Sequence, residues 1–149
     1  MLIRDAAPAD ARLLLQLLRQ IADSSEGLAH GPQTPDGELH AMLDQCRTFV
    51  VEEEGRVVGL NAVRVLDLAD RLPGMQHRRM AFIVAFGVDR AERRRGYGAA
   101  LFRHMREWLR DKGVTLLSLN VAASNQTAQA FYRRMGLEAR SVQMEQVLS

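Results

Sequence analysis

The sequence predicts an α/β sandwich built around one mixed sheet, and three observations carry that reading. Its segments follow the order β-α-α-β-β-β-α-β-α-β, a pattern that covers a sheet with helices. At 149 residues the chain can bury one substantial core and is short for two, so residues 1–149 are read as a single domain. Near its middle, RRMAFIVAFGV (residues 78–88) is apolar almost without a break, as a strand covered on both faces must be.

The elements follow in order. LIRDA is a short opening strand, and Pro8 suits the first turn of a helix. Leu13, Leu14, Leu17, Leu18 and Ile21 recur at helical spacing, which predicts an amphipathic helix from Pro8 to Ala22. SSEGLAHGPQTP, between Asp23 and Asp36, is too rich in Gly, Pro and Ser for either regular structure and is read as a surface loop. A second helix is expected over Asp36 to Cys46. TFVVEEEGRVVGLNAVRVLDL then reads as two strands about a turn at Glu54-Gly55, and a further turn falls at Pro73-Gly74 before the buried strand. Beyond Gly98 a helix places Leu101, Met105 and Trp108 on one stripe with Phe102 and Leu109 beside it, and Gly113 ends it. VTLLSLNV is the next strand, residues 125–135 form the last helix, and LEARSVQMEQVL is a final strand of alternating apolar and polar positions.

Composition removes several classes of function. Apolar residues make up 47% and charged residues 26%, ordinary globular values. Twenty basic residues against eighteen carboxylates leave a net charge of only +2, a weak basis for a polyanion partner. Cys46 stands alone, so neither an internal disulfide nor a Cys-rich metal site can form, and no metal is expected. Apolar clusters such as Leu13-Leu14-Leu15 fall far short of a membrane span. Asp5 and Asp10 lie where a signal peptide needs a basic start. These features lead to the expectation of a cytoplasmic chain with neither a membrane nor a nucleic-acid partner.

The segment VDRAERRRGYGAAL (residues 88–101) is the one that calls for chemistry. A buried strand ends at Val88, an arginine-rich loop follows, and Gly96-Tyr97-Gly98 opens a helix at once. Such a helix start leaves backbone N–H groups unpaired and pointing one way, which attracts anions. Glycine at 96 and 98 keeps Cβ atoms away from an approaching phosphate or permits the angles that aim the amides. Arg93 and its neighbours add charge-assisted hydrogen bonds. A charge run is commonly just a solvated face, and that reading stands beside this one. Nucleic-acid binding is disfavoured because Tyr97 is the only aromatic in the stretch. A dinucleotide fingerprint fails because no third glycine follows at the required spacing.

Arg93-Arg94-Arg95-Gly96-Tyr97-Gly98-Ala99 resembles the R/Q-x-x-G-x-G/A signature of the GNAT superfamily of N-acetyltransferases, which grips the pyrophosphate of acetyl-coenzyme A. LNVAASNQTAQAFYRRMGLE (residues 119–138) resembles the second signature of that family. Asn125, Ala128, Phe131, Tyr132 and Gly136 fall in register, and Leu137 replaces the usual Phe. The resemblance spans essentially the whole chain. It implies a mixed central sheet of six to seven strands flanked by about four helices, with splayed parallel strands in the middle, here those ending near Val88 and Val121. The pantetheine arm would lie in the splay and pair with backbone groups of Phe86 and Val88. Amides from Arg94 through Ala99 would cradle the pyrophosphate, and Asn125 would brace or cap the last helix.

By the same resemblance, Tyr132 is the expected acid, placed to protonate the departing thiolate after an amine attacks the thioester; as a plain core aromatic it would share a stripe with Ala128. The base is not assigned. Relatives often carry a Glu on the strand before the loop, whereas RRMAFIVAFGV has no carboxylate, and Asp89 just beyond it reads as a turn residue. Glu26, His30, Asp67 and His77 are candidates, and proton loss through water is an alternative to all four. The acceptor, a primary amine on a small molecule or a peptide, would meet Ser24, Ser25, Glu26 and His30 in the first loop. Glu52, Glu53 and Glu54 read as a solvated turn. The alternative function is a non-catalytic acyl-CoA-binding domain. Homodimers are common among look-alikes, although the sequence displays no obligate interface.

Overall fold

The computed structural model describes residues 1–23, 33–68 and 76–149. Five strands form one sheet in the order β1-β2-β3-β4-β5: β1 (Leu2–Asp5), β2 (Arg47–Glu53), β3 (Arg56–Asp67), β4 (Arg79–Val88) and β5 (Leu116–Ser118). Neighbours from β1 to β4 run antiparallel, and β4 and β5 run parallel. Four helices accompany them: α1 (Ala11–Asp23), α2 (Asp36–Asp44), α3 (Tyr97–Asp111) and α4 (Gln126–Arg134). Among the described residues, no helix is long and apolar enough to cross a membrane.

Local chemistry explains the boundaries. A single 3-10 turn, Pro8–Asp10, leads into α1, and Asp10 accepts the Ala7 N–H at 2.7 Å while Arg4 clamps its carboxylate at 2.8 and 3.0 Å. The Arg4 contact holds the Asp10 carboxyl below its usual range, against the opposing pull of burial. Glu54 and Gly55 both take positive φ, +52° and +77°, the two-residue turn that matches the twist of an antiparallel hairpin. Alternation along the strands then divides the core in two. Leu14, Leu17 and Leu18 of α1 and Leu39 of α2 pack with Val50, Val57, Leu60, Ala62 and Ala85 on one face. Leu101, Phe102, Met105 and Leu109 of α3 pack with Phe49, Val51, Val63, Ala81 and Ile83 on the other.

Two details concern β4. A Cβ at Gly87 would lie 2.6 Å from Ile21 Cγ1, so the last turn of α1 seats directly on the strand and any side chain there must displace Ile21. Opposite Phe86 in register is Asn61 of β3, fully buried, whose side-chain amide has no hydrogen-bond partner among the described residues.

Two features of the expected sheet need correction. Among the described residues it has five strands, not six to seven, and the parallel pair lies at the edge, not in the middle. Both follow from LEARSVQMEQVL, which forms no strand: residues 138–149 are exposed, and their backbone groups bond to nothing in the described body, so among the described residues no strand lies outside β5. VTLLSLNV also pairs over only three positions, Leu116 to Ser118 against Met80 to Phe82. The turn at Pro73-Gly74 and most of the first loop fall outside the described residues.

Candidate functional site

The site grows from the unequal edges of β4. Toward β3 the ladder runs from Gly59–Val88 to Asp67–Arg79, interrupted by one bulge where Val84 has no partner. Toward β5 it stops after Phe82. Asp89 N–H donates to Val58 O at 2.7 Å, and because antiparallel strands alternate, the N–H and C=O of Val88 and Phe86 turn to the opposite edge. That is the stretch where β5 supplies no partner. Arg93 folds back to hold one of these groups, its Nε donating to Val88 O at 3.2 Å.

The chain then turns through a 3-10 step, Arg90–Glu92, capped by Asp89, whose Oδ1 accepts Ala91 N–H at 3.0 Å. Asp89 is thus the turn residue expected of it. Arg94 (φ +67°) and Gly96 (φ +83°) both adopt the left-handed conformation. Gly96 does so without strain; for Arg94 it is an uncommon state, kept only when its surroundings over-determine it. Successive turns of this kind aim backbone N–H groups into a concavity suited to anions. Gly96 is also the N-cap of α3, and the first intrahelical bond runs from Ala100 N–H to Gly96 O at 3.1 Å. The N–H groups of Tyr97, Gly98 and Ala99 therefore have no intrahelical acceptor and face outward at the positive end of the helix.

Gly98 differs from Gly96. A Cβ there would meet Phe131 at 3.6 Å and Phe86 at 3.7 Å, ordinary contacts, so the protein's own packing does not demand a glycine. The same distances show that the helix start rests on an aromatic group. Phe86 lies 5.3 Å from Phe131 and 6.1 Å from Tyr132, centroid to centroid, and Phe131 lies 5.4 Å from Tyr132. Residues 45 positions apart in the chain are thereby gathered at the open edge of β4. Burial pushes the Tyr132 phenol up to about 12, so it keeps its proton at neutral pH, and its oxygen has no hydrogen-bond partner among the described residues. Asn125 caps α4, its Oδ1 accepting Ala128 N–H at 3.1 Å, while Gln129 bonds the carbonyls of Ala122 and Ala123 at 3.0 Å each.

Other expectations fare differently. His77 (Nδ1 3.0 Å from Thr115 Oγ1) and Asp67 (3.0 Å from Arg79) lie at the opposite end of β4, about 30 Å from Val88 by strand rise. Distance separates them from the 93–99 loop. Ser24, Ser25, Glu26 and His30 fall outside the described residues. Glu53, read from sequence as part of a solvated turn, accepts the Tyr97 hydroxyl at 3.2 Å and so ties the helix start to the β2–β3 hairpin. Glu92 performs a similar service, bridging Arg56 at 2.7 Å and Arg95 at 3.0 Å. A hairpin tip rich in Glu facing an Arg-rich loop was the available signal, but sequence alone does not bring the two together.

With this geometry in place, the relatives can be weighed. Residues 14–137 match the model of the Acetyltransferase (GNAT) family. The chain belongs to that family. A curated relative, an uncharacterized N-acetyltransferase (MJ1207) of Methanocaldococcus jannaschii, is 31% identical over 99 residues, 66% of this chain, and the match spans only 42% of the relative's length. Among solved structures, a mutant of the BH1408 protein from Bacillus halodurans superposes with a TM-score of 0.84 at 22% identity, covering 100% of both chains. An aminoglycoside 6'-N-acetyltransferase from Acinetobacter haemolyticus gives 0.75 at 17% identity, again over 100% of both chains. A ribosomal-protein-alanine N-acetyltransferase from Brucella melitensis biovar Abortus gives 0.74 at 16% identity, over 99% of this chain and 100% of the other. At these identities the structural matches establish the fold.

Proposed function

We propose that the GNAT acetyltransferase fold here transfers an acetyl group from acetyl-CoA to a primary amine by direct attack on the thioester. The observation that carries this reading is the meeting of two features at the end of β4: an edge whose Phe86 and Val88 backbone groups lack a β5 partner, and a helix start whose three outward N–H groups and two left-handed residues suit a diphosphate. An amide-bearing arm laid along that edge would hydrogen-bond as a strand does. Acetyl-CoA, when bound, supplies an activated acyl group on sulfur. The chain's part is to hold it, with N–H groups from Arg94 through Ala99 on the diphosphate, Arg93, Arg94 and Arg95 adding positive charge, and Asn125 fixing α4 beside the arm.

Tyr132 is assigned the proton donor to the leaving sulfur. A phenol raised to about 12 stays protonated near neutrality, half-buried among Phe86 and Phe131 at that edge. The acceptor amine must lose a proton to become nucleophilic, which costs about 4 kcal/mol at neutral pH for an alkyl amine of pKa ~10. β4 carries no carboxylate to take it, so proton loss through water is the route this reading adopts. The acceptor is a small molecule or a peptide; the aminoglycoside and ribosomal-protein enzymes above act, by name, on amines of both kinds.

The missing carboxylate on β4 favours one second reading, an acyl-CoA-binding domain without chemistry. Incubating the protein with acetyl-CoA and a panel of primary amines while following thiol release separates the two. Amine-dependent release that falls in Tyr132→Phe supports catalysis. Thermal stabilisation by acetyl-CoA with no release supports the binding domain, and neither effect overturns both.

A further inference from the structure

Tyr132 rides on a helix with a light hold on the body. No side chain of α4 is fully buried, and Phe131 and Tyr132 are covered only in part by the core they pack against. Gly136 (φ +98°) closes the helix, with the N–H groups of Gly136 and Leu137 donating to the carbonyls of Arg133 and Tyr132 at 3.0 Å each. Those bonds, like the Asn125 cap and the Gln129 contacts, stay inside the segment.

One bond leaves it. Arg106, from the middle of α3, donates from Nη1 to the Met135 carbonyl at 2.8 Å, and its guanidinium lies over the Phe102 ring, 5.4 Å from the centroid. Among the described residues this is the only hydrogen bond between residues 122–149 and the rest of the chain. Phe102 is fully buried and sits 6.3 Å from both Phe86 and Phe131, so the platform beneath the guanidinium belongs to the aromatic group around Tyr132. Arginine suits the place because its planar fork stacks on a ring while its edge still reaches a carbonyl. Met135 is the C-cap of α4, the negative end of the helix, where a cationic donor makes the stronger bond.

We propose that Arg106 is a positioning residue: by clamping the C-terminus of α4 to α3 it holds the Tyr132 phenol at the open edge of β4. Its consequence for turnover rests on the acid role proposed above for Tyr132. Less than one helical turn separates Tyr132 from Met135, so movement of the clamped end carries the phenol with it. A reacting group misplaced by about 1 Å can cost on the order of 100-fold in rate. The diphosphate seat should not feel the change, because Arg106 lies about 15 Å along α3 from Gly96 by helical rise.

A double-mutant cycle of Arg106→Met and Tyr132→Phe, read by thiol release with acetyl-CoA and an amine from the panel above, tests this. Arg106→Met keeps an unbranched stem and removes the donor; it should lower kcat about tenfold and leave the KM for acetyl-CoA within about twofold. Arg106→Lys, which restores a cationic donor, should recover part of that loss. In the double variant Arg106→Met should cost nothing further, because the phenol it positions is gone. An unchanged kcat in Arg106→Met overturns the proposal, and so does full additivity of the two losses. A second readout needs no turnover. Ultraviolet titration of Tyr132, which burial holds at about 12, should move downward in Arg106→Met as water reaches the ring, while Tyr97 titrates as in the parent. If no amine is turned over, or Tyr132→Phe matches the parent, the earlier catalytic reading fails on its own; the titration then decides the clamp, and an unmoved Tyr132 phenol overturns it.

Discussion

The two edges of β4 have opposite fates. On the β3 side nine residue pairs hold the strand, and Asn61, opposite Phe86, is fully buried. On the β5 side three pairs suffice, and the strand then continues with backbone groups turned toward no neighbouring strand. The same run of apolar residues supplies both edges. Composition therefore does not separate the stability of this strand from its proposed use; the difference comes from where the partner strand stops.

Substitutions on either edge should have separable consequences. The largest loss of stability is expected for Gly87→Val, which drives a side chain into Ile21 and should cost about 3 kcal/mol, read as a lowered urea midpoint with an unchanged slope. Tyr132→Phe should lower kcat at least about 100-fold, or about 2.7 kcal/mol, while leaving stability and acetyl-CoA affinity alone; equal turnover would remove the acid role. Asn61→Val should stabilise the fold by about 1–2 kcal/mol, since it replaces a buried amide that lacks partners; a drop in melting temperature would mean that the amide is satisfied. Gly98→Ala should leave stability unchanged or slightly raised, because its Cβ meets only ordinary contacts. It should nevertheless weaken acetyl-CoA binding about tenfold by calorimetry, and an unaltered dissociation constant would show that nothing approaches that backbone.

The smallest effect is confined to alkaline pH. Tyr132 is raised to about 12 by burial, and Tyr97 is raised as well, by burial and then by Glu53. Between pH 10 and about 12 the unfolded chain releases phenolic protons that the folded chain retains, so stability should fall as pH rises through that window and be insensitive to these groups below it. Ultraviolet titration of phenolate in the folded protein, with Tyr132→Phe as reference, checks the assignment.

Much of the fold could be read from the chain because its signals are local. The spacing of Leu14, Leu17, Leu18 and Ile21 gave α1, Glu54-Gly55 gave the hairpin, and Gly96 gave the start of α3. The tail misled for the converse reason. Alternation in LEARSVQMEQVL specifies a strand but not its partner, and among the described residues it has none. For the candidate site, the two glycine-bearing signatures were legible, whereas the convergence of Phe86, Phe131 and Tyr132 on Gly98 depends on how α4 packs. Nor could sequence show that Asp67 and His77 lie far from the loop, because strand direction decides that.

The bond between Tyr97 and Glu53 has a mechanical consequence. It acts as a strut from the first residue of α3 to the tip of the β2–β3 hairpin, with the Arg56–Glu92–Arg95 bridge as a second strut alongside. Any molecule that tugs on the arginine loop must also load that hairpin, so a reporter dye on its exposed tip would sense docking without touching the cleft.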